Sequence, residues 1–313
     1  HFGIPIVFSN YDLLKTQINH LNLNVELKKI DEIEKAKPNK LNILEVSNSN
    51  FDLSFGKINS QGGDFSRKSL TEATKSLKTN KINILVTAPI NKKNIISNEF
   101  DFMGHTDFLN KNFDGDALMF MVSEDLKVAL LTEHIALKNV TSEISKELIF
   151  NKISAIKKSL IKDFGISSPK IAVLSINPHA GDEGIIGDDD QKILIPSLEE
   201  ISEDNNLIFG PFPSDSFFGS NKYKSFDAVL AIYHDQGLIP FKTISFGNGV
   251  NFTAGLDVIR TSPDHGTGYD IAGKNKADPS SFRSAIYTAC KIYNNRISYE
   301  KNNSNPLKLS DLK

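Results

Sequence analysis

Phe226-Asp227-Ala228-Val229-Leu230-Ala231-Ile232-Tyr233-His234-Asp235-Gln236-Gly237 is the stretch that decides the fold. From Phe226 to Ile232 it is a short, nearly unbroken apolar run, which suits a strand covered on both faces. It then turns polar, so that His234 stands just beyond the strand end. Four further runs have the same character: Ile4 to Phe8, Ile82 to Ala88, Leu126 to Thr132 and Lys170 to Ile176. Helical patterns lie between them. Phe65 to Leu77 is one, and Ser142 to Phe164 is another, with Ile144, Leu148, Ile149, Ile153, Ile156 and Leu160 recurring at three or four and Gly165 as a stop signal. Asp278-Pro279 predicts an N-cap and a first helical residue, opening a helix through about Tyr293. Strands alternating with helices predict an α/β fold with a largely parallel sheet and helices on both faces. Lys28 to Lys40 and the tail after Tyr299 are polar and expected to be loose.

With 313 residues, 39% of them hydrophobic, the chain can bury a large core and favours two lobes. A break near Val122 and a return near Phe246 give a first lobe of residues 1–122 plus 247–313 and a central lobe of 123–246. The net charge of -2 recruits neither nucleic acid nor an anionic membrane, which leaves a small molecule as the partner. One cysteine, Cys290, allows no internal disulfide, and no apolar run is long enough to span a bilayer, so a cytoplasmic protein is expected.

His134, His179 and His234 each follow a predicted strand, where ligands bind in open α/β sheets. One such histidine is most often a hydrogen-bonding residue of the fold. Three at three strand ends point to a catalytic metal with an open coordination position. Gly104-His105-Thr106-Asp107 reads equally as an anion contact or as the capped start of a helix. Lys242, Asn251 and Arg260 stand among Gly247, Gly249 and Gly255 in a stretch with little other charge. Such cations suit a phosphate or carboxylate, although Arg260 could instead pair with Asp257 or Asp264. The acidic runs Gly181 to Gly184 and Gly187 to Asp190 read as solvated turns opening a helix. No Gly-x-Gly-x-x-Gly follows a predicted strand, which disfavours a Rossmann nucleotide site.

Val86-Thr87-Ala88-Pro89-Ile90-Asn91-Lys92, Gly104 to Asp107, Asn177-Pro178-His179-Ala180-Gly181, Tyr233 to Gly237 and Ser262-Pro263-Asp264-His265-Gly266-Thr267-Gly268 together resemble the 4-hydroxythreonine-4-phosphate dehydrogenase family, from about Ile4 to Tyr293. The resemblance implies an isocitrate and isopropylmalate dehydrogenase-like fold and a homodimer with its active site between subunits. It also implies oxidation of 4-phosphohydroxy-L-threonine, followed by decarboxylation, in pyridoxine 5'-phosphate synthesis. By the same resemblance His134, His179 and His234 hold a divalent metal (zinc, cobalt or magnesium), and His105, Thr106, Lys242, Asn251 and Arg260 bind substrate. NAD or NADP falls to His265, Gly266, Thr267, Asp270 and Asp278, and Lys242 or Asp235 takes the hydroxyl proton. Members of that family begin with a strand and a Gly-rich segment that precede the first strand found here, so an unpaired sheet edge is expected. A dehydrogenase for another four-carbon phosphorylated hydroxy acid, and a metal-dependent hydrolase, remain as alternatives.

Overall fold

A computed structural model of the chain describes residues 3–47, 53–97, 102, 104–203 and 207–305. In chain order its strands are β1 (Ile6–Ser9), β2 (Leu27–Ile30), β3 (Leu41–Glu45), β4 (Leu85–Val86), β5 (Gly115–Val122), β6 (Lys127–Leu130), β7 (Ile171–Leu174), β8 (Ile208–Phe212), β9 (Ala228–Ala231), β10 (Val250–Leu256) and β11 (Arg260–Pro263). The helices are α1 (Tyr11–His20), α2 (Ser60–Lys78), α3 (Lys92–Ile95), α4 (His105–Asn112), α5 (Val140–Glu143), α6 (Lys146–Lys162), α7 (Ile195–Glu203), α8 (Ser214–Gly219), α9 (His234–Ile244) and α10 (Ser280–Asn303).

Two sheets result: a parallel one ordered β1-β3-β2, and an eight-stranded one ordered β4-β11-β10-β5-β6-β9-β7-β8. In the large sheet β6, β9, β7 and β8 run parallel, as do β4 and β11, whereas β10 and β5 are antiparallel to their neighbours. Residues 127–231 supply the half from β6 to β8, and residues 85–122 and 250–263 supply the half from β4 to β5. β1 and β4 are sheet edges, and Phe8 and Leu85 share one apolar cluster.

The five expected strands are present, β4 shortened to two residues. Alternation along the chain explains why they are apolar throughout. Ile171 and Val173 of β7 pack with α6 and α7 on one face, while Ala172 and Leu174 pack with Phe217, Leu238 and Phe241 on the other. A strand buried on both faces needs both sets.

Several expectations are corrected. The helix over 142–164 is two: Ile144 turns extended after α5, and Ser145 starts α6 by accepting the Leu148 N–H at 3.2 Å. Pro279, not Asp278, occupies the N-cap of α10, although Asp278 Oδ1 accepts the Ser280 N–H at 2.9 Å, and the helix runs on to Asn303. Lys28 to Ile30 are not loose, because they pair with β3 in register. The tail likewise stays helical to Asn303, and its residues from 306 lie outside those described. Asp190 is no solvated turn residue: it is fully buried and accepts the N–H groups of Ile176 and Asn177 at 2.8 and 2.9 Å, fixing the chain beyond β7. Among the described residues no helix is long and apolar enough to cross a membrane.

Candidate active site

β6, β9 and β7 are adjacent and parallel, so their carboxyl ends open on the same edge, and His134, His234 and His179 follow them in turn. The ends of β6 and β9 are tied together. Thr132 donates its N–H and its hydroxyl to the Ile232 carbonyl, at 3.1 and 2.7 Å. Gln236 ties β9 to β7: its Oε1 accepts the Ile232 N–H at 2.6 Å and its Nε2 donates to Ser175 O at 2.8 Å. Gly237 lets α9 lie close on the sheet, since a Cβ there would meet Ala231 and Val128 at 2.8 Å. His234, the first residue of α9, is therefore held over the strand ends, and its ring centre lies 5.8 Å from that of His134. Two imidazoles sharing one ion at ~2.0–2.1 Å per nitrogen have ring centres up to about 6 Å apart, so the pair fits a metal. His234 Nδ1 faces Asp235 Oδ1 at 2.7 Å, which leaves Nε2 for a ligand.

His179 sits elsewhere in the geometry. It opens a left-handed run through Glu183 and is exposed, and among the described residues no three His, Cys, Asp or Glu side chains gather closely enough to hold a metal.

On the far side of β10 and β5, Arg260 opens β11 with only 2% of its surface exposed. It pairs with neither Asp257 nor Asp264. Its Nε and Nη2 donate to Thr87 Oγ1 at 3.1 and 2.8 Å, and its Nη1 donates to Thr253 Oγ1 at 3.1 Å. Burial pulls its pKa down to about 9, which leaves it charged at neutral pH. Burial, Arg260 and Lys92 together hold the His105 ring well below the ordinary histidine range. His105 and Thr106 are the first two residues of α4, whose N-cap, Gly104, offers no side chain to the helix end. Asn251 lies on β10 opposite Ser262, and its Oδ1 is buried without a hydrogen-bond partner.

Lys242, in the last turn of α9, reaches Asp264 Oδ1 at 3.2 Å. Burial raises the Asp264 carboxyl above its ordinary pKa, against the opposing charge of Lys242. Past Asp264 the chain forms a loop in which His265, Gly266 and Asp270 are exposed, with Asp278 exposed at the foot of α10. Thr267 is exposed as well, and it lines a cavity of about 410 Å³ with Phe55, Asn59, Asn91, Asn94 and Tyr269.

Two residues of the site escape a reading of the sequence. Gln236 is an ordinary residue of a helical first turn until its two partners, on different strands, are known. Lys92 closes a polar turn, yet its charge bears on both His105 and His134.

Fold and site together define an α/β protein whose strand ends offer imidazoles and which buries a guanidinium against two threonine hydroxyls. The chain belongs to the pyridoxal phosphate biosynthetic protein PdxA family, which matches residues 1–289. A 4-hydroxythreonine-4-phosphate dehydrogenase of Bacteroides thetaiotaomicron is 40% identical over 306 residues, 97% of this chain and 84% of that protein. A relative from Cutibacterium acnes, provisionally named D-threonate 4-phosphate dehydrogenase, is 34% identical over 91% of this chain and 84% of its own length. The crystal structure of 4-hydroxythreonine-4-phosphate dehydrogenase from Klebsiella pneumoniae matches with a TM-score of 0.80 at 31% identity, over 92% of this chain and 88% of that one.

Proposed function

We propose that the chain is an NAD- or NADP-dependent dehydrogenase that oxidises the secondary alcohol of 4-phosphohydroxy-L-threonine, in the cytoplasm, during pyridoxine 5'-phosphate synthesis. The alcohol carbon gives a hydride to the nicotinamide and the hydroxyl gives up its proton. The resulting 3-oxo acid loses carbon dioxide and takes a proton, leaving 3-amino-2-oxopropyl phosphate. The observation that carries this reading is Arg260, a buried cation whose only side-chain partners among the described residues are two threonine hydroxyls. A guanidinium so placed is matched by a phosphate that accepts its remaining N–H groups. Thr106 and the start of α4, with His105 and Asn251, complete that end of the substrate's site.

His134, His179 and His234 are the proposed metal ligands. A divalent ion there, whether zinc, cobalt or magnesium, would make the substrate hydroxyl easier to ionise. His179 stands apart from the other two within one chain, which supports a homodimer whose sites are completed between subunits. Exposed large apolar side chains support it too: Leu137 is 71% exposed, Ile185 82% and Phe246 90%. Asp235 is engaged with His234, so it orients that ring, while Lys242, once it has passed its own proton to Asp264, can accept the hydroxyl proton. His265, Gly266, Thr267, Asp270 and Asp278 would receive the dinucleotide. The lobes would divide the large sheet between β5 and β6, in the manner of isocitrate and isopropylmalate dehydrogenases.

The test is nicotinamide reduction with 4-phosphohydroxy-L-threonine, before and after chelation and with divalent metal restored. Turnover that chelation removes and metal returns is expected. Turnover of D-threonate 4-phosphate alone would replace the substrate, and turnover of neither compound would sink the proposal.

A further inference from the structure

His179 is set apart from the other two imidazoles by its backbone. From His179 to Glu183 five consecutive residues have φ between 44 and 79°, and four of them carry a Cβ. That left-handed conformation is costly for any residue with a side chain and persists only where the surroundings hold it. Asp190 pins the entry to the run by accepting the N–H groups of Ile176 and Asn177, and Ser175 Oγ donates to Asn177 O at 2.8 Å. Gly181 lies so close to the chain returning toward α7 that a Cβ there would collide with the Gly187 carbonyl. Gln191 holds the run itself: its Nε2 donates to Ala180 O, the next carbonyl along the chain from His179, at 3.1 Å. It does so from a firm base. Gln191 belongs to the wide helical turn Asp190–Leu194, which continues directly into α7 and buries Leu194 in the core.

The other end of the same amide is unmatched, since Gln191 Oε1 is buried with no hydrogen-bond partner among the described residues. A buried acceptor left unpaired costs stability, and so does the strain of the run that Gln191 holds. The fold as such therefore gains little from this side chain. We propose that Gln191 is a positioning residue that acts through His179: it keeps the run left-handed and so fixes the direction in which the imidazole leaves the chain to meet a divalent metal. This rests on the functional reading above, in which His179 is a metal ligand, and adds the residue that aims it.

Titration of the intact, metal-free protein with Co2+, followed by its visible absorption, tests the idea beside a calorimetric titration with inorganic phosphate and urea unfolding. Gln191→Leu should weaken Co2+ binding roughly ten- to a hundredfold and alter the absorption, because the run can relax and turn His179 away. Phosphate affinity should stay within about twofold, since Arg260 shares no partner with Gln191. The urea midpoint should be unchanged or raised. Gln191→Met should behave as Gln191→Leu does, and Gln191→Lys, which restores a donor, should recover part of the Co2+ affinity. On a His179→Ala background Gln191→Leu should add nothing to the loss. A loss that repeats in full on that background, a matching fall in stability and in both affinities, unfolding of both apolar variants, or no loss of Co2+ affinity would each overturn the inference. If His179→Ala weakens Co2+ binding while Gln191→Leu does not, only this inference fails. If the wild-type chain takes up no Co2+, or His179→Ala leaves its uptake unchanged, the metal assignment of the functional reading fails and takes this one with it.

Discussion

Arg260 and Arg296 are both buried, at 2% and 7% exposure, yet the protein surrounds them differently. Arg296 on α10 meets Asp163 Oδ1 at 2.6 Å, and that carboxylate also accepts the Ser159 hydroxyl at 2.7 Å. A second nitrogen of Arg296 donates to the carbonyls of Asp257 and Val258, at 2.8 and 3.3 Å. It ties α10, the end of α6 and the β10–β11 turn into one unit, with its charge matched inside the fold. Among the described residues Arg260 has only hydroxyls, and a hydroxyl does not neutralise a charge. The first arginine is finished by folding; the second is the one for which a ligand is proposed.

Cutting each arginine loose tests that contrast. The largest effect is expected from Asp163→Ala, which strands Arg296 as a buried charge and should cost about 3–5 kcal/mol in urea unfolding. A loss well under 1 kcal/mol would mean that Arg296 finds water or another partner, and the contrast would collapse. Arg260→Met should do the reverse, leaving stability unchanged or improved while kcat/KM falls roughly a hundredfold, chiefly through KM. Inorganic phosphate at about 100 times its Kd should stabilise the wild-type chain by about 2.7 kcal/mol and this variant by much less. Unfolding of Arg260→Met would make Arg260 another Arg296.

The smallest effect concerns His105 beside Arg260. Its folded pKa lies below the ordinary 6.5, so the unfolded chain takes up this proton first. The contribution is whole above pH 6.5 and is lost as pH falls toward the folded pKa, at up to about 1.4 kcal/mol per pH unit. His105→Gln should flatten the unfolding free energy between about pH 7 and about pH 5 relative to wild type. An unchanged slope would mean that the ring takes up its proton at the same pH in the folded and unfolded chain.

The parallel half of the sheet was legible in the sequence because β6, β7 and β9 are apolar on both faces, and the histidines after them were legible for the same reason. β10 and β11 were hidden. The glycines around Asn251 and the lone Arg260 look like a loop, whereas Asn251 and Arg260 lie within strands. β5 has no flanking signal to set it apart, despite the apolar run from Leu118 to Val122. The break before α6 was masked because the apolar spacing continues through Ser145. Gln236 depends on a partner far along the chain, Ser175, and local pattern carries no record of such a meeting. Asp190 was misread because a buried carboxylate that caps two backbone N–H groups has the composition of a turn.

β10 and β5 stand between Arg260 on β11 and the histidines beyond β6 and β9, and that separation has an evolutionary side. A lineage can alter side chains that lie between these two points, and with them the middle of the ester it accepts, without disturbing either the proposed phosphate anchor or the proposed metal imidazoles. Novelty in such a scaffold is cheapest in the span between two fixed points.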